Sequence, residues 1–236
     1  MKSIKQLSIM KRLLLGALSL LAIGLLAACG GYDQTTATSV QNALPQKALI
    51  YAPQGYSTSK NANYPDPTDQ SALPESVRVT AKGETVLLRA AVVEGYQIYE
   101  CQPSTTDSSG FAWKLQAPFA FLKTDANTNI LHSTGPSWLY TQDGSEIRAA
   151  LGKFTANGKV VPASATPDTT TIAWLRLDVT DHRGNAGLMS KVDQVQRLYT
   201  HGGKVPASGC NRDAANQHVI QPVSYTAEYV FWGHKG

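Results

Sequence analysis

The three cysteines of this chain, Cys29, Cys101 and Cys210, are the residues with the most distinctive chemistry. A thiol can bind a metal, accept a lipid or form a disulfide. A metal site needs further Cys or His ligands at short, regular spacing. Neither Cys101 nor Cys210 has such a neighbour. We therefore expect no metal site, and we expect the thiols to be acylated or oxidised.

Residues 1–28 have the composition of a secretory signal. Basic side chains and no acids occur at 1–12, an almost wholly apolar run follows at 13–26, and two alanines precede Cys29. This order is typical of signal peptides. The apolar run is shorter than the roughly 20 residues that span a bilayer. We therefore predict that residues 1–28 are an export signal and not part of the fold.

The tetrapeptide LAAC at 26–29 resembles a bacterial lipobox. In such precursors the cysteine receives a diacylglycerol, and cleavage before it leaves an acylated N-terminus. The membrane would then be a partner through the lipid on Cys29. Gly30 follows, where an Asp would favour retention in the inner membrane, so the resemblance implies an outer-membrane lipoprotein that faces the periplasm. The alternative is an ordinary signal peptide that is cut nearby, with Cys29 incidental.

The net charge of the chain comes from the signal. Residues 1–28 hold four of the 21 basic residues and none of the 17 acidic ones, so the chain from Cys29 onward has no net charge. Proteins that bind nucleic acids or anionic lipids by charge usually carry an excess of Lys and Arg. We therefore expect no nucleic-acid partner.

Cys101 and Cys210 are the two thiols that remain after acylation of Cys29. An even number of cysteines in an oxidising compartment indicates a disulfide. Two separate free thiols are the alternative. In a chain-entropy model, a bond that closes a loop of about 110 residues stabilises the fold by roughly 4–5 kcal/mol.

The mature chain divides into a polar tether at 29–48 and a single β domain at 49–236. From residue 76 onward the pattern has a period of two. Apolar side chains alternate along FAWKLQ at 111–116, TIAWLRLDVT at 171–180 and SYTAEYVFW at 224–232. Such alternation is typical of half-buried antiparallel strands. The fold class is therefore all-β, an antiparallel sandwich or barrel of short strands.

Several local signals refine this interpretation. Asp143-Gly144 and Asn157-Gly158 can adopt the positive φ angles of tight hairpin turns. Gly95 interrupts an apolar run at 86–101, which predicts either two strands or one bent strand with a bulge. The segment VDQVQRLY at 192–199 also fits helical spacing, although we favour a strand there.

The ordered blocks of this region resemble those of domain-of-unknown-function family 3455, an uncharacterised family of bacteria and fungi. The resemblance covers roughly residues 44–232, and the blocks are GYQIYEC, WKLQAPFAFL, HSTGPSW, DGS, AWLRL, VQRLYTHGG, GC and YTAEYVF. The family has a cysteine in both blocks that hold Cys101 and Cys210, which favours the disulfide. Arg176 stands where family members usually have an apolar residue, so we expect incomplete burial of that strand face. No glycine-rich nucleotide motif follows a strand, and we predict no cofactor.

Four residues in or beside these blocks are the candidate ligand-binding residues: His132, Trp138, Asp143 and Arg197. His132 would be a polar anchor or base, Trp138 a stacking wall, Asp143 a hydrogen-bond acceptor, and Arg197 a carboxylate-binding or structurally paired cation. For His132 the alternative is a ring that satisfies a buried carbonyl or is exposed, and for Trp138 it is a place in the core. We assign no catalytic residue.

Three functions fit these observations. We favour a non-catalytic envelope module that binds a small molecule, a glycan or a protein. The alternatives are an envelope hydrolase acting on carbohydrate or ester, and a purely structural lipoprotein. Hydrolysis would require two convergent carboxylates, about 5–9.5 Å apart in glycosidases, or a histidine-centred dyad.

Overall fold

The structure is a computed structural model that describes residues 65–235. The predicted signal, Cys29, the tether at 29–48 and the start of the β domain at 49 lie outside the described residues. No helix within the described part is long and apolar enough to cross a membrane. Among residues 65–235, three 3-10 helices occur at Gln70–Ala72, Glu75–Val77 and Leu188–Lys191, and α1 spans Arg212–Asn216.

Strands make up most of residues 85–233. They are β1 (Thr85–Pro103), β2 (Phe111–Thr124), β3 (Asn129–Ser133), β4 (Ser137–Tyr140), β5 (Ser145–Leu151), β6 (Lys153–Ala156), β7 (Lys159–Pro162), β8 (Ser164–Ala165), β9 (Trp174–Gly184), β10 (Val192–Gly202) and β11 (Ile220–Gly233).

Eight of these strands close into an antiparallel barrel. Their order is β10-β11-β1-β2-β3-β4-β5-β9, and pairing of β9 with β10 completes the ring. The short β8 pairs with the start of β9, and β6 and β7 form a separate hairpin. The all-β prediction is confirmed, and the structure selects the barrel. The segment at 192–199 is a strand, as favoured.

The barrel interior holds the larger hydrophobic core. Tyr225, Ala227, Tyr229 and Phe231 alternate along β11 and all belong to this core, as the period-two pattern predicts. Small alanines on β11 and on other barrel strands offset the bulky rings, which lets a narrow barrel fill its interior. These small residues are Ala90, Ala120, Ala149 and Ala227.

A second cluster covers the outer face of β9, β10 and β11. Leu73 and Val77, from the segment before β1, pack there against Trp174, Leu198 and other apolar side chains. The amide of Gln196 donates to the Val77 carbonyl over 2.7 Å. The segment before the barrel is therefore a part of the packed domain.

Arg176 lies beneath this outer layer, and the expectation of incomplete burial was wrong. Its side chain is only 2% exposed. The guanidinium donates to the carbonyls of Arg78 (3.1 Å) and Lys153 (2.6 Å), and its Nε lies 3.4 Å from Asp178 Oδ1. A cation can replace an apolar residue at this site because backbone acceptors from two segments meet it.

The strand β1 is continuous but bent near Gly95. Its register shifts between Ala91 and Tyr96 against β11, and between Val92 and Glu94 against β2. A Cβ at Gly95 would lie 2.6 Å from Val92 Cγ1 and 3.1 Å from the Tyr225 carbonyl oxygen. Glycine is required because the bend brings the chain this close to β11.

The disulfide between Cys101 and Cys210 is confirmed. It links β1 to the segment just before α1, across 109 residues of sequence. Both predicted hairpin turns are also confirmed: Asn157 and Gly158 have φ values of 50° and 74° between β6 and β7, and Gly144 has a φ of 74° between β4 and β5.

Candidate functional site

A cavity of about 320 Å³ opens into one end of the barrel. Each of the eight barrel strands contributes at least one lining residue, and the loop at 134–136 between β3 and β4 contributes more. The cavity is therefore the unfilled end of the barrel interior. Its volume is at the lower end of the roughly 300–1,000 Å³ typical of ligand pockets.

Apolar side chains form most of the wall. Leu175 and Leu177 line it from β9, while Leu115 and Leu151 belong to the same lining and are 53% and 45% exposed. Large exposed leucines are costly to hydrate, so their place at the opening indicates an apolar entrance.

Three of the four predicted residues line this one cavity: His132, Trp138 and Arg197. His132 and Trp138 are direct partners across β3 and β4. Arg197 pairs with Tyr229 across β10 and β11, and Tyr229 lines the cavity too. The barrel thus brings together three predicted residues that lie up to 65 positions apart in sequence.

His132 is a buried, neutral side chain. Its Nδ1 lies 2.8 Å from the Ser137 carbonyl oxygen, and because a carbonyl can only accept, Nδ1 carries the proton. Burial lowers the pKa of His132 to about 4, and the positive charge of Arg197 acts in the same direction. Its Nε2 is therefore a hydrogen-bond acceptor at neutral pH, and the ring satisfies a buried carbonyl.

Trp138 is packed more tightly than a free stacking wall would be. It is 1% exposed, and one face is stacked on His132 with ring centroids 4.5 Å apart and an interplanar angle of 5°. Tyr229 and Phe231 meet it edge-on at 5.8 and 6.2 Å. Its ring belongs to the core and to the cavity wall at once.

Arg197 is the one charged residue among those that line the cavity. Its Nε and Nη2 atoms donate to the Ala173 carbonyl oxygen over 3.2 and 2.8 Å. None of the ion pairs among residues 65–235 involves Arg197. Arg197 also forms a side-chain hydrogen bond with Tyr229. A guanidinium has five N–H donors, so its bonding capacity still exceeds what these two partners satisfy.

Asp143 lies outside the cavity, and the grouping with the other three residues was wrong for it. Its Oδ1 accepts from the Ser145 N–H (2.9 Å) and its Oδ2 from the Leu188 N–H (2.8 Å). Burial raises the pKa of Asp143, but these hydrogen bonds outweigh it and hold the pKa below the ordinary value. Asp143 does accept hydrogen bonds, as expected, but they tie the β4–β5 turn to the segment before β10.

Gln97 and Tyr229 also line the cavity and are not among the four predicted residues. Gln97 is 2% exposed, and its Nε2 is buried without a hydrogen-bond partner among the described residues. The indole Nε1 of Trp138 is likewise buried without a hydrogen-bond partner among the described residues. A polar Gln97 between the apolar Tyr96 and Ile98 was the signal that could have found it.

The described residues offer little for metal or hydrolytic chemistry. No group of three or more His, Cys, Asp or Glu side chains that could hold a metal occurs at 65–235. The residues that line the cavity include neither Asp nor Glu. The cavity can therefore supply hydrogen-bond donors, one positive charge and apolar surface.

Comparison with known proteins gives a family and no activity. No curated protein matches the chain, and no solved structure matches it. Residues 81–233, which include all eight barrel strands, match the family described as "Protein of unknown function (DUF3455)". This match spans more than half of the sequence and confirms the resemblance noted from the sequence blocks. The chain therefore belongs to this family of unknown function.

Proposed function

We propose that this protein is a lipid-anchored protein of the bacterial cell envelope whose barrel binds a small molecule. The observation that carries the binding proposal is the cavity of about 320 Å³ on which all eight barrel strands converge. Barrel interiors of this kind either fill with side chains or hold one small ligand. A glycan chain or a protein would exceed this volume, so the cavity favours a small molecule.

The chemistry of the wall supports binding over hydrolysis. A glycosidase needs two carboxylates around its substrate, whereas none lines this cavity. A general base works best when its pKa lies near the operating pH. Burial keeps the pKa of His132 at about 4, and its Nδ1–H is committed to the Ser137 carbonyl. A purely structural lipoprotein would have no need for the cavity.

Binding can be tested by filling the cavity. Ala117 lines it from β2, whereas Ala112, on the same strand, does not. A thermal-shift screen of the full-length protein in phospholipid nanodiscs would use small acids, amines, amides and sugars. A ligand at 100 times its Kd stabilises a protein by about 2.7 kcal/mol. We expect a stabilising compound whose effect Ala117→Trp abolishes and Ala112→Trp preserves. Equal effects in both variants would refute binding in the cavity.

The envelope location rests on the signal at 1–28 and on Cys29. Metabolic labelling with a radioactive fatty acid should label the wild-type protein, and Cys29→Ser should abolish the label. Cys101→Ser is the matched control, because its thiol belongs to the disulfide. Label that persists in Cys29→Ser, or no label in the wild type, would refute the anchor without affecting the cavity.

A further inference from the structure

We propose that the ligand is a small organic acid, with its carboxylate on Arg197 and its apolar body against the leucines of the cavity. This assignment rests on the proposed function, because it names the class of molecule that the same cavity binds. The cavity supports this assignment in three parts: its charge, its buried donors, and its apolar wall.

The first part is charge. Arg197 is the one charged lining residue, and no ion pair among residues 65–235 neutralises it. Its charge also acts on the pKa values of Tyr99, Tyr225 and Tyr229, and no Asp or Glu acts on them beside it. The interior is therefore electropositive. A guanidinium binds a carboxylate more strongly than any neutral group, and an ammonium ligand would be repelled.

The second part is the surplus of hydrogen-bond donors. Gln97 Nε2 and Trp138 Nε1 are buried without acceptors among the described residues, although both side chains belong to the cavity wall. A buried donor without an acceptor is costly. Both N–H groups are buried within the protein and not on the open surface of the cavity, so a carboxylate, which offers acceptors only, can pair with them only when those side chains rotate toward it. His132 Nε2 is itself an acceptor, so the carboxylate belongs on the Arg197 side.

The third part is the rest of the wall. Leu115, Leu151, Leu175 and Leu177 supply apolar surface from three strands, and the cavity volume is about 320 Å³. A sugar would leave most of its hydroxyls without partners against these leucines. In an acid with a short hydrocarbon or aromatic body, the carboxylate can pair with Arg197 and the body can pack against the leucines.

The test compares three probes that differ mainly in the head group: 3-phenylpropionate, 3-phenylpropanamide and 3-phenylpropylamine. Each is titrated calorimetrically into full-length protein in nanodiscs, with empty nanodiscs as the blank. A hydrogen bond to a charged group is worth enough for the carboxylate to bind at least about tenfold more tightly than the amide. We expect the amine to bind most weakly.

Variants of Arg197 test whether its guanidinium distinguishes a charged ligand from a neutral one. Arg197→Met should remove the preference for carboxylate over amide and leave amide binding within about threefold. Arg197→Lys keeps the positive charge but cannot bind a carboxylate in bidentate fashion, so it should retain a reduced preference for carboxylate over amide. If one of the two variants fails to fold, the change of preference between the wild type and the other variant decides.

The outcomes separate this assignment from the proposed function. Amide or amine binding as tight as that of the carboxylate, abolished by Ala117→Trp, would overturn the organic-acid assignment and leave cavity binding intact. A carboxylate preference that survives Arg197→Met would also overturn it. If none of the three probes binds and no compound of the thermal-shift screen depends on Ala117, both proposals fail.

Discussion

Replacing His132 with asparagine should remove a large part of the dependence of stability on acid pH. The asparagine amide can still donate to the Ser137 carbonyl, which His132 Nδ1 contacts at 2.8 Å, but it does not titrate. The smaller side chain lowers stability at every pH by leaving space beside Trp138. The informative quantity is therefore the pH dependence of the difference between the two proteins.

The sign and size follow from linkage. The pKa of His132 is about 4 in the folded protein, and an unfolded histidine has a pKa of about 6.5. Between these values the unfolded chain binds the proton and the native protein does not. The stability that His132 contributes is therefore fully present above about pH 6.5 and is lost progressively as the pH falls towards 4. The full contribution is about 3 kcal/mol, of which about 2 kcal/mol is lost by pH 5.

Urea unfolding, followed by tryptophan fluorescence between pH 5 and pH 8, measures this difference. Burial raises the pKa of Glu84 to about 7, so Glu84 favours the native state less as the pH rises. That contribution is present in both proteins and cancels in the difference. Ile130→Val, which shortens a buried core side chain on the same strand without removing a titratable group, is the control and should lower stability equally at pH 5 and pH 8. If the free energies of unfolding of the wild type and His132→Asn differ by the same amount at pH 5 and pH 8, His132 is not a buried neutral histidine.

Three further changes test the supports of the barrel, each by chemical denaturation. Replacing Cys101 and Cys210 together with alanine should lower the free energy of unfolding by roughly 4–5 kcal/mol in the chain-entropy model, and no loss would contradict a bond that closes 109 residues. Arg176→Ala should cost about 2–4 kcal/mol, because two part-buried carbonyls lose their donor. Arg183→Ala should cost at most about 1 kcal/mol, because the side chains of its ion pair are more than 40% exposed. Asp143→Ala should lower the free energy of unfolding by about 1–3 kcal/mol and leave ligand affinity unchanged. A loss of affinity without a loss of stability would show that Asp143 belongs to the ligand site.

The strand faces could be read from local sequence. The alternation of Tyr225, Ala227, Tyr229 and Phe231 placed one face of β11 in the core, and both glycine turns fell where predicted. The choice between sandwich and barrel could not be made this way. Closure depends on the pairing of β9 with β10, a contact that competes with other antiparallel partners and has no local signature.

The site could be predicted only in part. His132, Trp138 and Arg197 came from separate sequence blocks, and only the register of the barrel shows that they meet. Asp143 was misplaced because an Asp before Gly can serve its own turn as readily as a ligand. Gln97 was missed because a lone polar residue in an apolar strand is equally typical of a surface position.

The indole N–H of Trp138 reports most directly on whether this cavity binds a small organic acid. Trp113 provides an internal control, because its Nε1 already donates to the Ser208 carbonyl over 2.9 Å and it does not line the cavity. In a proton–nitrogen correlation spectrum of the full-length protein in nanodiscs, 3-phenylpropionate should shift the Trp138 indole resonance saturably and leave that of Trp113 in place. A Trp138 resonance that stays fixed at saturating acid, or moves only together with Trp113, would contradict the account.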